Sequence, residues 1–107
     1  MRILILAAAA MALTLMPARA EDTENARYLC ALVDATGLAS AQCETSVWNA
    51  AVVATIDMSS SEARDLCGKI AGFMAQKGRQ FDRDWTFQIK SPYSGDSSIA
   101  FCSLPRR

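Results

Sequence analysis

Four cysteines are the residues whose type and number point most directly to chemistry: Cys30, Cys43, Cys67 and Cys102. An even number of cysteines in a short exported chain is typical of a disulfide framework, in which each bridge stabilises the fold by about 2–4 kcal/mol. A zinc site or a redox C-x-x-C motif needs closely spaced ligands, and the chain has neither that spacing nor any histidine. The sequence therefore predicts two structural disulfides, with no metal and no cofactor.

Four cysteines allow three pairings, and spacing alone does not decide between them. Cys67 lies on the apolar face of a predicted helix, and Cys102 has the same strand parity as Leu104. If that strand face meets the helix, a Cys67–Cys102 bridge joins helix to sheet, and Cys30–Cys43 joins the first helix to the loop that follows it. We prefer this pairing and leave the other two open.

Candidates for acid–base or nucleophilic catalysis are few, because the absence of histidine removes the commonest general base. Those that remain are serines near lysines and a pair of aspartates: the serines within 59–61 and 91–98, Lys69, Lys90, Asp82 and Asp84. No spacing fixes a serine against a lysine, and the two aspartates flank Arg83 in a segment typical of a solvated loop. The sequence thus favours a protein that is not an enzyme. The alternative is a small envelope hydrolase, or another enzyme whose Ser/Lys or Asp residues meet only in the fold.

The segment 91–98 is the best candidate for a binding surface, since exposed loops on a rigid scaffold often carry binding functions. Pro92 restricts its backbone, Tyr93 offers a flat amphipathic ring, and Asp96 offers hydrogen-bond acceptors. The Ser, Pro and Gly content of this segment is also what a plain turn requires. We name Tyr93 and Asp96 as candidate partner-binding residues, with a simple turn as the alternative.

Residues 1–20 have the pattern of a cleavable secretory signal peptide. Arg2 gives a positive start, an apolar run extends to Met16, Pro17 breaks it, and small residues occupy positions 18 and 20. The run is too short for a membrane-spanning helix, which needs about 20 apolar residues. We expect cleavage after Ala20, export to the periplasm or the medium, and no stable membrane insertion of the cleaved protein.

Cleavage leaves residues 21–107, a single small domain of 87 residues. This domain has nine basic and eleven acidic residues and no basic run, so nucleic acid is not an expected partner. The expected partner is an envelope protein or a small ligand. Because a domain of this size has a marginal core, the disulfides are expected to contribute much of its stability.

The apolar periodicity predicts two helices. The first spans 22–36, with Asp22 or Thr23 as its cap, and the second begins at the capping box Ser59-x-x-Glu62 and ends near residue 77. Gly68 and Gly72 form a small-xxx-small pair on the polar side of the second helix. Close packing against another chain there is an alternative to a plain surface position.

The remaining segments predict strands. Segment 47–58 fits helix or strand by spacing, but its β-branched residues favour a strand, and segment 84–104 alternates as a β-hairpin does. Segment 38–46, which contains Cys43, has no period and is predicted to be a loop. The expected fold class is α+β, with the order α-β-α-β-β. Its core is a small three-stranded, mainly antiparallel sheet packed by two helices and stabilised by disulfides.

Two stretches carry a resemblance to known sequences, one from Ile56-Asp57-Met58-Ser59 through the second helix and one from Trp85 to Asp96. There the chain resembles small uncharacterised exported proteins of Gram-negative bacteria, over about the C-terminal half of the cleaved protein. The resemblance implies a periplasmic setting and no particular activity. We therefore expect a periplasmic or secreted binding or interaction protein of unknown partner. A stress-related envelope protein with no single ligand is a third alternative.

Overall fold

The computed structural model describes residues 18–107, with side chains from residue 21 onward. Most of the predicted signal peptide, residues 1–17, lies outside the described residues. The elements are helix α1 (Ala18–Ala35), strands β1 (Glu44–Ser46) and β2 (Ala51–Thr55), helix α2 (Ser60–Gln76), and strands β3 (Thr86–Lys90) and β4 (Ser98–Ser103). The α+β class is confirmed, in the order α-β-β-α-β-β.

The four strands form one mixed sheet in the order β1-β2-β3-β4. The outer pairs are antiparallel, whereas β2 and β3 are parallel, with Val52 opposite Phe87 and Ala54 opposite Ile89. The prediction of three mainly antiparallel strands is therefore wrong in the number of strands and in the direction of the central pair. The reason is the length of α2, about 25 Å at 1.5 Å per residue, which returns the chain to the end of the sheet where β2 began.

The strand that the sequence analysis missed lies within 38–46, which it predicted to be a loop. Glu44 pairs with Val53 and Ser46 with Ala51 across a tight turn. The three residues of β1 are polar and show no apolar alternation, so their strand conformation comes from pairing with β2. The turn between them contains no glycine, and Ala50 closes it with φ +49°.

The core lies between one face of the sheet and the two helices. Alternate strand residues are buried on this inner face: Val52, Ala54, Phe87, Ile89 and Ala100. Helix α1 lies over β1 and β2, and α2 lies over β3 and β4. The rings of Phe81 and Trp85 are stacked at 5.3 Å between centroids and are also buried. Within residues 18–107, no helix covers the outer face, which includes Val53, Gln88 and Phe101.

Two disulfides join the helices to the rest of the fold, as predicted. Cys67 of α2 bonds to Cys102 of β4, with 6.0 Å between Cα atoms. Cys30 of α1 bonds to Cys43, just before β1, with 5.3 Å between Cα atoms. This is the pairing that the sequence analysis preferred, and each helix is covalently fixed to the sheet region it covers.

The helix ends agree with the sequence at α2 and differ at α1. Ser59 caps α2 in a capping box with Glu62, as predicted, and Gly78 follows the helix with φ +68°. The first helix begins at Ala18 rather than at residue 22, so the prediction of Asp22 or Thr23 as its cap is wrong. Asp22 lies inside the helix, where its buried carboxylate accepts a hydrogen bond from the backbone N–H of Asp82.

Candidate binding site

Residues 91–97, here called the Tyr93 loop, connect β3 to β4 at the carboxyl end of the parallel strands. Asp57 follows β2 at the same end, and helix α2 begins three residues after it. Ligands of open α/β sheets commonly bind beyond the carboxyl ends of parallel strands. The fold therefore places the two candidate residues, Tyr93 and Asp96, at an end of the sheet that is well suited to contact a partner.

Serine side chains hold the backbone of the Tyr93 loop. The hydroxyl of Ser94 donates to the carbonyl of Ser97 at 2.7 Å and accepts from the N–H of Ser91 at 3.1 Å. The N–H of Tyr93 donates to the Ser91 hydroxyl at 3.1 Å. Gly95 supplies φ +63°, a backbone conformation that residues with a side chain rarely adopt. A loop held in this way loses less conformational entropy when it binds a partner.

The Tyr93 loop presents an exposed aromatic ring beside the carboxylate of Asp57, and the same loop carries Asp96. Tyr93 is 82% exposed, and its hydroxyl donates to Oδ2 of Asp57 at 3.4 Å. Asp96 is exposed, and no hydrogen bond or ion pair joins its side chain to another residue of the described segment 18–107. An exposed ring beside acidic groups suits a partner that presents a cationic or hydrogen-bond donor group next to an apolar surface.

A second exposed aromatic residue, Trp48, was missed as a candidate. It lies in the β1–β2 turn at the opposite end of the sheet and is 96% exposed. The spacing of Trp48 to Val52 and Ile56 matches one face of a strand, which is why the sequence alone does not indicate an exposed turn position. The turn that presents Trp48 is closed by Ala50, whose left-handed conformation costs about 1–2 kcal/mol for a residue with a side chain. A signal in the sequence is Asn49, just before the β-branched segment that forms β2, since Asn favours turns.

A polar cavity of about 350 Å³ lies at the start of α1. It is lined by Glu21, Glu24, Asn25, Lys77, Gly78, Arg79 and Arg107. Arg107 forms ion pairs with Glu21 and Asp82, and Asn25 donates to the carbonyl of Gln80 at 2.9 Å. The guanidinium of Arg79 lies 4.1 Å from the ring centroid of Tyr28. The contacts around this cavity, including a hydrogen bond from Arg79 to Asn25 at 3.3 Å, hold the start of α1 against the segment that precedes β3.

An apolar groove of about 210 Å³ separates the two helices. Its lining residues are Leu32, Val33, Thr36, Leu66, Lys69, Ile70 and Phe73. Leu66, Ile70 and Phe73 therefore form the side of α2 that faces α1. These three residues belong to the apolar face of α2 and are half-buried.

Three of the residues considered for catalysis, Lys69, Asp82 and Asp84, form ion pairs with different partners. Lys69 forms an ion pair with Asp65 at 2.9 Å, one turn away on the same helix. Asp82 pairs with Arg107, whereas Asp84 pairs with Arg106 at 2.9 Å, so the two aspartates do not act on one another. The enzymatic alternative stays a prediction that these contacts do not favour.

The capping box of α2 lowers the pKa of the Glu62 carboxyl group. The backbone N–H of Ser59 donates to Oε1 of Glu62 at 3.2 Å, and its hydroxyl donates to the same oxygen at 2.9 Å. The backbone bond, and to a lesser extent the side-chain bond, stabilise the carboxylate and lower the pKa of Glu62. This shift belongs to the helix cap rather than to a binding group.

No protein-family model, curated protein or solved structure matches this chain. Within residues 18–107, no helix is long and apolar enough to cross a membrane. In the same segment, no three Cys, Asp or Glu residues are grouped as a metal ion would require.

Proposed function

We propose that the protein is a periplasmic or secreted interaction protein that acts by binding, with the Tyr93 loop as its contact surface. The single observation that carries this proposal is the 82% exposure of Tyr93 on a loop whose backbone is fixed by hydrogen bonds. Exposed rings of this kind are enriched in protein interfaces, where they supply a large contact area at a low entropy cost. The partner class is an envelope protein or a small ligand with a cationic group.

Export supports the same proposal. Two disulfides in a small domain are typical of proteins that fold in an oxidising compartment. The signal-peptide pattern of residues 1–20 agrees with this setting. In such a compartment a cross-linked domain can present a loop without a large core behind it.

Capture of a partner from periplasmic extract tests the proposal. The oxidised protein is compared with the double variant Tyr93→Ala, Asp96→Ala and with Trp48→Ala, a matched control that removes an equally exposed ring at the other end of the sheet. We expect the double variant to lose the partner and the control to keep it. Equal recovery by all three proteins, or loss with the control alone, would exclude the Tyr93 loop as the contact surface.

A further inference from the structure

Within residues 18–107, strand β4 forms a free edge of the sheet whose protection is limited to a bulge near its start, where Ile99 has no opposite residue in β3. It is last in the strand order and six residues long, and none of its residues is charged. Proteins generally protect free edges with short strands, charges or proline, because unpaired N–H and C=O groups attract another strand. The opposite edge, β1, is protected in this way, since it has only three residues and begins with Glu44.

Phe101 lies near the middle of this free edge. The N–H of Leu104 donates to the carbonyl of Trp85 at 2.9 Å. Bonded and non-bonded pairs alternate in an antiparallel ladder, so Phe101 and Ser103 direct their backbone groups away from β3. The ring of Phe101 is 73% exposed on the outer face of the sheet. Pro105, which has no N–H, ends the stretch that another strand could extend.

We propose that two copies of the protein form a symmetric dimer in which their β4 strands pair edge to edge and antiparallel, centred on Phe101. Two identical strands that pair antiparallel are related by a twofold axis. In this register each Phe101 lies opposite Phe101 of the second copy, and the outer faces of the two sheets become continuous. The inference goes beyond the proposed function, because it concerns the edge strand β4 rather than the Tyr93 loop; Asp96, a residue of the loop two positions before β4, is common to both.

Charge complementarity favours a second copy over an unrelated strand. Asp96 lies in the turn two residues before β4, and Arg106 follows the strand by three residues, so antiparallel pairing brings the Asp96 end of each copy next to the Arg106 end of the other. Asp96 has no partner within the described segment 18–107, and Arg106 pairs only with the exposed Asp84. Opposite charges therefore meet at both ends of the paired strands, and the uncharged strands between them bring no like charges together.

Helix α2 carries small residues on the side that lies next to the β4 edge. Leu66, Ile70 and Phe73 face α1, so the opposite side of α2 projects past β4. That side carries Arg64, Gly68, Ala71 and Ala75. In the dimer the two α2 helices would lie on the same face, above the two paired β4 strands. Paired strands are about 4.8 Å apart, whereas packed helices are normally 8–10 Å apart, so the two α2 helices have to approach one another closely. Small side chains permit that approach. A Cβ at Gly68 would meet nothing within 4 Å in one copy, so packing within the monomer does not require this glycine.

Sedimentation equilibrium of the oxidised protein over a wide concentration range tests the dimer. We expect a reversible monomer–dimer equilibrium in the wild-type protein. Phe101→Asp places two carboxylates opposite one another, and Gly68→Leu fills the space between the helices, so each should weaken the dimer at least about tenfold. Both positions are exposed, and the circular dichroism and melting temperature of each variant check that the monomer is intact. Trp48→Asp is the matched control and should leave the dimer unchanged.

A monomer at every concentration, a dimer that survives Phe101→Asp, or equal dissociation by Trp48→Asp would overturn the proposal. Protection of the β4 amides from hydrogen exchange only when extract is added would assign the edge to another protein, and would also overturn it. Tyr93→Ala alone lies outside the paired strands and should leave the dimer intact. Capture with Tyr93→Ala alone therefore separates failure of partner binding from failure of the dimer, because Asp96→Ala changes a residue that both surfaces use.

Discussion

Asp22 accepts a hydrogen bond from the backbone N–H of Asp82 at 2.8 Å, with 3% of its surface exposed. We expect Asp22→Ala to lower the free energy of unfolding by about 1–3 kcal/mol, because the amide loses its acceptor within a partly buried contact. Asp22→Asn keeps an acceptor oxygen and should restore part of the loss. Urea denaturation measures both variants, and Glu24→Ala, an exposed residue of the same helix, is the control. An Asp22→Ala protein as stable as the wild type would contradict this role.

The residues that carry the candidate site differ in how well the sequence revealed them. Tyr93 and Asp96 could be chosen from sequence, because proline, glycine and serines mark their loop before any fold is known. Trp48 could not, since its spacing to Val52 matches a strand and only the turn at Ala50 turns the ring outward. The contact between Asp22 and Asp82 joins residues 60 positions apart, which no local pattern indicates.

At the scale of single elements, the capping box fixes the start of α2 directly after the loop that contains Asp57. Ser59→Ala should lower the free energy of unfolding by about 1 kcal/mol, because the Glu62 N–H loses its acceptor. Thermal denaturation monitored by circular dichroism measures the loss. Ser61→Ala, one position inside the exposed first turn, is the matched control and should change little.

The same cap gives stability a defined pH dependence. The pKa of Glu62 is lowered in the folded protein, so its contribution is present above the pKa of the unfolded chain and is lost as pH falls through the folded pKa. Glu62→Ala should therefore destabilise the protein at neutral pH, and the difference from wild type should shrink in acid. Denaturation at a series of pH values measures this difference. If the difference in free energy of unfolding between wild type and Glu62→Ala stayed constant into acid, the carboxylate would have no such role.

The two disulfides should contribute unequally. Cys67–Cys102 closes a loop of 35 residues and Cys30–Cys43 a loop of 13, so restriction of the unfolded chain favours the first by about 1 kcal/mol. Replacing each pair with alanines and comparing urea denaturation tests this difference. A larger loss from removal of Cys30–Cys43 would contradict the loop-entropy account.

Elements with strong local signals were predictable, and elements that depend on pairing were not. The second helix has its cap, its apolar face and its terminal glycine in the sequence. Strand β1 has three polar residues, and only its partner β2 gives it a strand conformation. The parallel direction of β2 and β3 depends on where the end of α2 returns the chain relative to β2, and no local sequence pattern indicates that position.

At the scale of the whole molecule, both helices lie on one face of the sheet, and the Tyr93 loop and strand β4 remain free within residues 18–107. The disulfides fix this arrangement, so a small core supports two separate surfaces. One surface is a loop at the end of the sheet, and the other is its edge. The proposed partner binds the first, and a second copy of the chain binds the other.

The central claim is that the Tyr93 loop contacts a partner, and site-specific photo-crosslinking in the native cell tests it most directly. A photoreactive residue replaces Tyr93 in one protein and Arg27, an exposed residue of α1, in the control. We predict one discrete crosslinked product from position 93 and none of that mass from position 27. No crosslink from position 93, or the same product from both positions, would contradict the account.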